Sequence, residues 1–222
     1  MGHWNPRRFT SFLKKMKINR QQKLLYIHIP KCGGASIWRA FGMETVSAWP
    51  HLGAESIKEK FPVMAQDYLK FTVVRNPWEA EVSNFFYKLS IYNMQARESR
   101  EHINAANGGF PNMLKKDHTI SCFLPNKIKT HKYGRSMMRF ITDEDDNIMV
   151  DEVLRLENIR NDIKKMCKKH KLKPVKKLEQ MNKTHHLHYS EYYTEPWMID
   201  YVRKKNEDYI EKFDYDFEQQ FY

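Results

Sequence analysis

Apolar and polar positions alternate along this chain in two rhythms. Leu24-Leu25-Tyr26-Ile27-His28-Ile29-Pro30 is a short, nearly continuous apolar run, the pattern of a strand buried on both faces of a parallel sheet. A helix is expected from Gly34 to Phe41, with Gly42 placed to end it. Trp49-Pro50-His51 reads as a turn leading into a helical stretch from Ala54 to Phe61. After Pro62, the run Tyr68 to Val74 reads as a second strand. Pro77 then opens a helix at its first turn, where proline is tolerated, and Val82, Phe85, Phe86 and Leu89 recur at the spacing of a core-facing helical stripe. Ile148 to Leu156 predicts a further strand and residues 159–170 a helix, broken before Pro174. Thr194 is the expected N-cap of a final helix with Pro196 in its first turn, and Met198, Val202, Tyr209 and Phe213 share one face of it. Residues 91–147 show no clear periodicity and are expected to supply lids and substrate-facing segments.

Two strand–turn–helix units therefore follow one another, each with a cation, Lys31 or Arg75, just past the strand. The fold class this predicts is α/β, with a central, mainly parallel sheet flanked by helices. In open sheets of this kind, ligands bind at the carboxyl ends of the strands. The first such end, Pro30-Lys31-Cys32-Gly33-Gly34-Ala35-Ser36-Ile37, has the composition of an anion cradle. Glycines let backbone N–H groups approach closely, a helix N-terminus supplies unpaired donors, and Lys31 and Ser36 add a charge and a hydroxyl. A generic βα turn that happens to hold two glycines would read the same way on this stretch alone.

Composition changes the picture in three respects. At 222 residues and 41% hydrophobic content the chain is globular, with a basic leader over residues 1–22 and one domain over 23–222. The net charge of +11 and pI near 9.4 call for anionic partners: nucleotides, phosphorylated or sulfated ligands, nucleic acid or an anionic membrane surface. The lysine-dense run 164–177 reads as a solvated helix face and loop, because it lacks the interleaved aromatics on which nucleic-acid bases stack. Cys32, Cys122 and Cys167 are few, odd in number and far apart, which fits a reducing compartment and no disulfide framework. With no long apolar run for a signal or a membrane span, the expected location is cytoplasmic.

Taken together, the two turns carry a family likeness. Pro30-Lys31-Cys32-Gly33-Gly34-Ala35-Ser36-Ile37 resembles the 5′-phosphosulfate loop of sulfotransferases that use 3′-phosphoadenosine 5′-phosphosulfate (PAPS), particularly the carbohydrate-type, heparan/chondroitin-like branch. Val74-Arg75-Asn76-Pro77-Trp78-Glu79-Ala80-Glu81-Val82-Ser83 resembles the same family's 3′-phosphate motif, an Arg followed eight residues later by a Ser. Leu154-Arg155-Leu156-Glu157-Asn158-Ile159, Asn182-Lys183, Tyr192-Tyr193 and Phe213 to Phe217 extend the likeness toward the C-terminus. Cys32 and Ala35 depart from it by replacing hydroxyl residues, and Ala80 by standing where relatives carry a second Arg. The nucleotide-triphosphatase loop fits poorly, since Lys31 precedes the glycines and no Lys-Ser/Thr pair follows them.

The resemblance implies a P-loop-like three-layer fold, PAPS as donor, no required metal and an acceptor hydroxyl on a carbohydrate. It implies that Lys31 contacts the phosphosulfate, that the stretch Cys32, Gly33, Gly34, Ala35 and Ser36 holds the 5′-phosphate, and that Arg75 and Ser83 hold the 3′-phosphate. Lys183 and His185 are weaker candidates for the cofactor phosphates or the acceptor. His51, between the loops and just before a helix, is the expected general base, a role typically worth about 10²–10⁴-fold. His28 alternates with strand residues and reads as structural. His185, His186 and His188 lack a nearby Cys and make a poor metal set. Trp49, Trp78 and Tyr92 are candidates either for stacking on sugar rings or for the core. The competing class is a non-catalytic, basic nucleic-acid-binding or scaffold protein on the same fold, recognising nucleic acid through residues 164–177 with steep salt dependence.

Overall fold

The computed structural model describes residues 16–46, 53–98, 136–181 and 186–218. They fall into two compact units that part at Arg75/Asn76, Ser136/Met137 and Asn182/Lys183.

The first unit holds the sheet. β1 (Lys17–Asn19), β2 (Leu24–Ile27), β3 (Glu44–Thr45), β4 (Leu69–Val74) and β5 (Glu152–Arg155) stand in the order β3-β1-β2-β4-β5. β2 pairs parallel to β4, and β4 parallel to β5, with Ile27 opposite Thr72 and Val74 opposite Arg155. β1 is antiparallel to both β2 and β3. The sheet is thus mixed with a parallel core, flanked by helices, as the strand–turn–helix pattern predicts. β2 is central because Leu24, Leu25, Tyr26 and Ile27 are all buried, and only a strand covered on both faces can be apolar at every position. Thr72 is the fully buried polar residue of the neighbouring strand, and its hydroxyl donates to the Ile27 carbonyl at 2.8 Å.

β1 lies inside the segment expected as a basic leader. Its one buried side chain is Ile18, and the Asn19 side chain shapes the turn to β2 by accepting from the Gln22 N–H at 2.9 Å. Among the described residues the helices of this unit are α1 (Gly34–Ala40), α2 (Ala54–Lys60), α3 (Pro62–Asp67) and α5 (Ile159–Lys169), with short 3₁₀ turns at Met137–Phe140 and Leu156–Asn158. Gly42 ends α1 as expected, with φ +56 and its N–H on the Arg39 carbonyl at 3.0 Å.

Among its described residues the second unit is mainly helical. It contains α4 (Pro77–Glu98), a 3₁₀ turn at Tyr189–Tyr192, α6 (Pro196–Lys205) and α7 (Glu207–Phe213). Asn76 caps α4: its Oδ1 accepts from the N–H groups of Trp78 (3.0 Å) and Glu79 (3.3 Å), while its Nδ2 donates to the Asp216 carbonyl at 3.0 Å. Trp78, fully buried, donates its indole N–H to the Ile199 carbonyl at 3.1 Å and meets Phe217 edge-on. Of the three aromatics considered for sugar stacking, this one therefore belongs to the core. Trp49 and the side chain of Tyr92 lie outside the described residues.

Two sequence expectations need correcting here. The final helix is two helices, interrupted at Asn206, whose side-chain amide donates back to the Val202 carbonyl at 3.0 Å. An amide that bonds its own helix competes with the next backbone turn. The N-cap position of α6 belongs to Glu195, not Thr194, and no side chain caps the helix there. Met198, Val202, Tyr209 and Phe213 are nonetheless all buried.

Candidate functional site

The carboxyl ends of β2, β4 and β5 lie side by side because the three strands are parallel and in register. β2 runs directly into residues 28–33 and β4 into Arg75, the two cationic turns of the sequence, while β5 ends at Arg155 beside the 3₁₀ turn at Leu156. The first is held in an unusual backbone form. Lys31 has φ +69 and Gly33 φ +72, so the loop turns twice through the left-handed region before α1 begins. The Cys32 N–H closes the turn on the Ile29 carbonyl at 3.4 Å, and the Ser36 and Ile37 N–H groups fold onto the Gly33 carbonyl at 3.1 and 3.3 Å. No side chain caps α1. Among the described residues no acceptor pairs with the N–H groups of Gly33, Gly34 and Ala35. Three consecutive donors at a helix start, with the partial positive charge of that helix end, form a cradle for an oxyanion.

The two glycines are fixed by packing as well as by conformation. A Cβ on Gly34 would lie 2.4 Å from His28 Nε2, and one on Gly33 would lie 2.7 Å from a Leu156 methyl. His28 cannot easily yield, since its ring is packed between Tyr26 and Trp38. A side chain at either position would push the loop off its neighbours. Cys32 is completely buried, with its thiol 3.7 Å from the Pro30 carbonyl. At that position the side chain contributes packing.

Arg75 ties the ends of β2 and β4 together: its Nη1 donates to the Lys31 carbonyl at 2.9 Å. The same proximity acts on the Lys31 ammonium. Burial, and then the positive guanidinium of Arg75, lower its pKa from 10.5 to about 8. Two cations held together at a partly desolvated strand edge repel each other, and an anion relieves that repulsion. Ser36 is engaged from the far side, where its Oγ accepts from the Met181 N–H at 2.9 Å. That leaves its hydroxyl hydrogen to point elsewhere. The Arg39 guanidinium sits 3.6 Å from the Met181 sulfur, so residues 172–181 come back to the start of α1. Sequence reading gave no sign of this link, which spans 145 positions.

Ser83 belongs to the second unit, in the second turn of α4, and is buried. Ala80 is buried too. The neighbouring Glu81 makes the ion pair at this point, 2.6 Å from Lys205 of α6, with both side chains largely buried. His186 stacks on Phe86, and its Nδ1 lies 2.7 Å from the Leu187 carbonyl. His188 Nδ1 lies 2.8 Å from Ser190 Oγ. Among the described residues no group of three potential metal ligands converges, and no helix is long and apolar enough to cross a membrane. His51, Lys183 and His185 lie outside the described residues.

Comparison with known proteins gives one match. A model described as the sulfotransferase family matches residues 14–218. No curated protein and no solved structure matches the chain.

Proposed function

The chain belongs to the sulfotransferase family, an enzyme family that moves a sulfuryl group from PAPS to an acceptor, and from that premise we propose that it sulfates a carbohydrate hydroxyl by in-line displacement. The observation that carries the reading is the β2–α1 loop, where three N–H groups with no acceptor among the described residues, a partly buried lysine and an arginine lie around one strand edge. That donor set is the right chemistry for a phosphosulfate: a close backbone cradle that a Cβ would fill, plus charge.

In this mechanism the N–H groups of Gly33, Gly34 and Ala35, with the Ser36 hydroxyl, hold the 5′-phosphate. Cys32 keeps the loop in shape: its N–H closes the turn on the Ile29 carbonyl, and its buried thiol packs beneath it. Lys31 is charged at neutral pH, and an adjacent anion raises its pKa above the ligand-free value of about 8. It neutralises the charge that collects on the bridging phosphate oxygen as the sulfur–oxygen bond to the donor breaks and the bond to the acceptor oxygen forms. Arg75 and, on the spacing of the motif, Ser83 receive the 3′-phosphate, for which the guanidinium offers a forked donor. Lys183 is assigned to the same phosphates on sequence alone. His51 takes the proton of the acceptor hydroxyl as the new bond forms, a task suited to a neutral imidazole. The transfer needs no metal, because the protein supplies the compensating charge.

Transfer of label from PAPS to a panel of oligosaccharides tests this reading. The expected result is sulfated sugar, with His51→Ala lowering turnover by about 10²-fold or more while affinity for 3′,5′-bisphosphoadenosine is kept. Label that reaches only non-carbohydrate acceptors would overturn the carbohydrate assignment. A loss confined to cofactor affinity would remove His51 from the role of base.

A further inference from the structure

The segment built on α5 takes no part in the transfer chemistry above, yet it is densely basic. Residues 164–177 contain eight lysines and His170, with no carboxylate among them. α5 buries Ile163, Met166 and Cys167 on one side. At Lys171, φ +52, the chain turns, and residues 172–178 run back beside the helix. The Leu172 N–H donates to the Cys167 carbonyl at 2.9 Å, and Arg160 Nη2 reaches the Leu178 carbonyl at 3.5 Å.

Between helix and returning strap lies a cleft of about 480 Å³. Its floor is aliphatic, formed by Ile163, Cys167, Leu172, Val175 and Leu178, with Pro174 beside them. Its rim is cationic, formed by Arg160, Lys164, Lys168 and Lys176. No carboxylate lines it. The nearby Lys169 and Lys177 are already paired, with Glu152 at 2.5 Å and Glu179 at 2.6 Å. Among the described residues no carboxylate pairs with Lys164, Lys168 or Lys176.

Charge and floor together select the occupant. Three lysines with no carboxylate partner among the described residues attract anions, and an aliphatic floor attracts hydrocarbon. Nucleic acid supplies the first but wants aromatic rings on which to stack, and no aromatic residue lines this cleft. A bilayer containing anionic phospholipid supplies both, since basic clusters on an amphipathic helix bind such surfaces. We propose that the α5 cleft docks this protein on an anionic bilayer surface. Lys164, Lys168 and Lys176 hold the lipid headgroup, and the upper part of an acyl chain lies against the aliphatic floor. The inference is independent of the transfer reaction, since it uses none of the residues assigned to donor or acceptor.

Co-sedimentation of the full chain with phosphatidylcholine vesicles, with and without phosphatidylserine, tests it. The chain is expected to pellet with the serine-containing vesicles at physiological ionic strength and to stay in solution with the others. At about 1 kcal/mol for each lysine at the surface, the triple variant Lys164→Gln, Lys168→Gln, Lys176→Gln is expected to weaken partitioning on the order of 100-fold, with its near-UV circular dichroism unchanged. Should the variant fail to fold, acetylation footprinting of the unaltered protein replaces it: Lys164, Lys168 and Lys176 are expected to be protected on serine-containing vesicles. Vesicle binding that survives the triple substitution would overturn the proposal, as would lysines that acetylate equally with and without vesicles. Equal affinity for a single-stranded oligonucleotide, lost in the same variant, would assign the patch to polyanions in general and also overturn it.

Discussion

Lys31 concentrates two costs in one residue. Its φ of +69 places a side chain in the left-handed region, at about 1–2 kcal/mol, and its ammonium is partly desolvated next to Arg75. A residue that combines backbone strain with a disfavoured charge suits a site whose ligand repays both. The sign of the pH dependence follows. The folded-state pKa is about 8 and the ordinary value 10.5, so between these pH values the unfolded chain binds the extra proton. Stability contributed through this group therefore rises with pH across that window, and below about pH 8 the whole cost of the buried charge is present. Anion binding runs the other way, because it favours the protonated form. Calorimetric titration with 3′,5′-bisphosphoadenosine is expected to show affinity falling as pH rises through about 8, approaching tenfold per pH unit beyond it. Lys31→Met is expected to flatten that limb, and also to raise thermal stability at pH 7 by roughly 1–2 kcal/mol, after allowance for screening at its exposed end. A slope unchanged by the substitution would assign the titration to another group.

At the scale of elements, what the sequence revealed was local. The apolar run of β2, the loop after it, the end of α1 at Gly42 and the start of α4 at Pro77 all follow from side chains a few positions apart, and each stands where the pattern put it, except that β2 closes at Ile27 and not at Pro30. Less was legible where distant residues decide. β1 is three residues long and exists only because β2 and β3 pair with it. Asn206 breaks a helix that periodicity alone would continue through Phe213. The bond from Met181 to Ser36 depends on a strap whose course no periodicity records. In the site, Lys31, Arg75 and the glycines could be named from spacing, but the bond from Arg75 to the Lys31 carbonyl and the demand of His28 for a glycine at position 34 required coordinates. The Glu81–Lys205 pair between α4 and α6 is of the same hidden kind. Removing one member of such a pair strands a buried charge, so Lys205→Met is expected to destabilise the protein by about 3–5 kcal/mol in denaturant unfolding. The double variant Glu81→Gln, Lys205→Met is expected to regain much of that loss. Equal losses in the two variants would show that packing, not charge, is what the lysine supplies.

For the whole molecule, a net charge of +11 draws anions without saying which. Basic charge occurs in two settings with different chemistry around it. At the strand edge, Lys31 and Arg75 stand beside unpaired backbone donors, a geometry fitted to discrete phosphates. Along α5 the lysines rim an aliphatic cleft, a geometry fitted to a surface. The family match spans both, covering residues 14–218; the proposed two-phosphate nucleotide site uses only the first setting. The central claim is that this edge holds the donor, and titration of the full chain with 3′,5′-bisphosphoadenosine, against adenosine 5′-phosphate, tests it most directly. The account predicts saturable binding of the bisphosphate, weakened by about 10–100-fold in Lys31→Met and Arg75→Ala, with the Arg75 substitution sparing the ligand that lacks a 3′-phosphate. Absence of binding, or affinity indifferent to both substitutions, would contradict it.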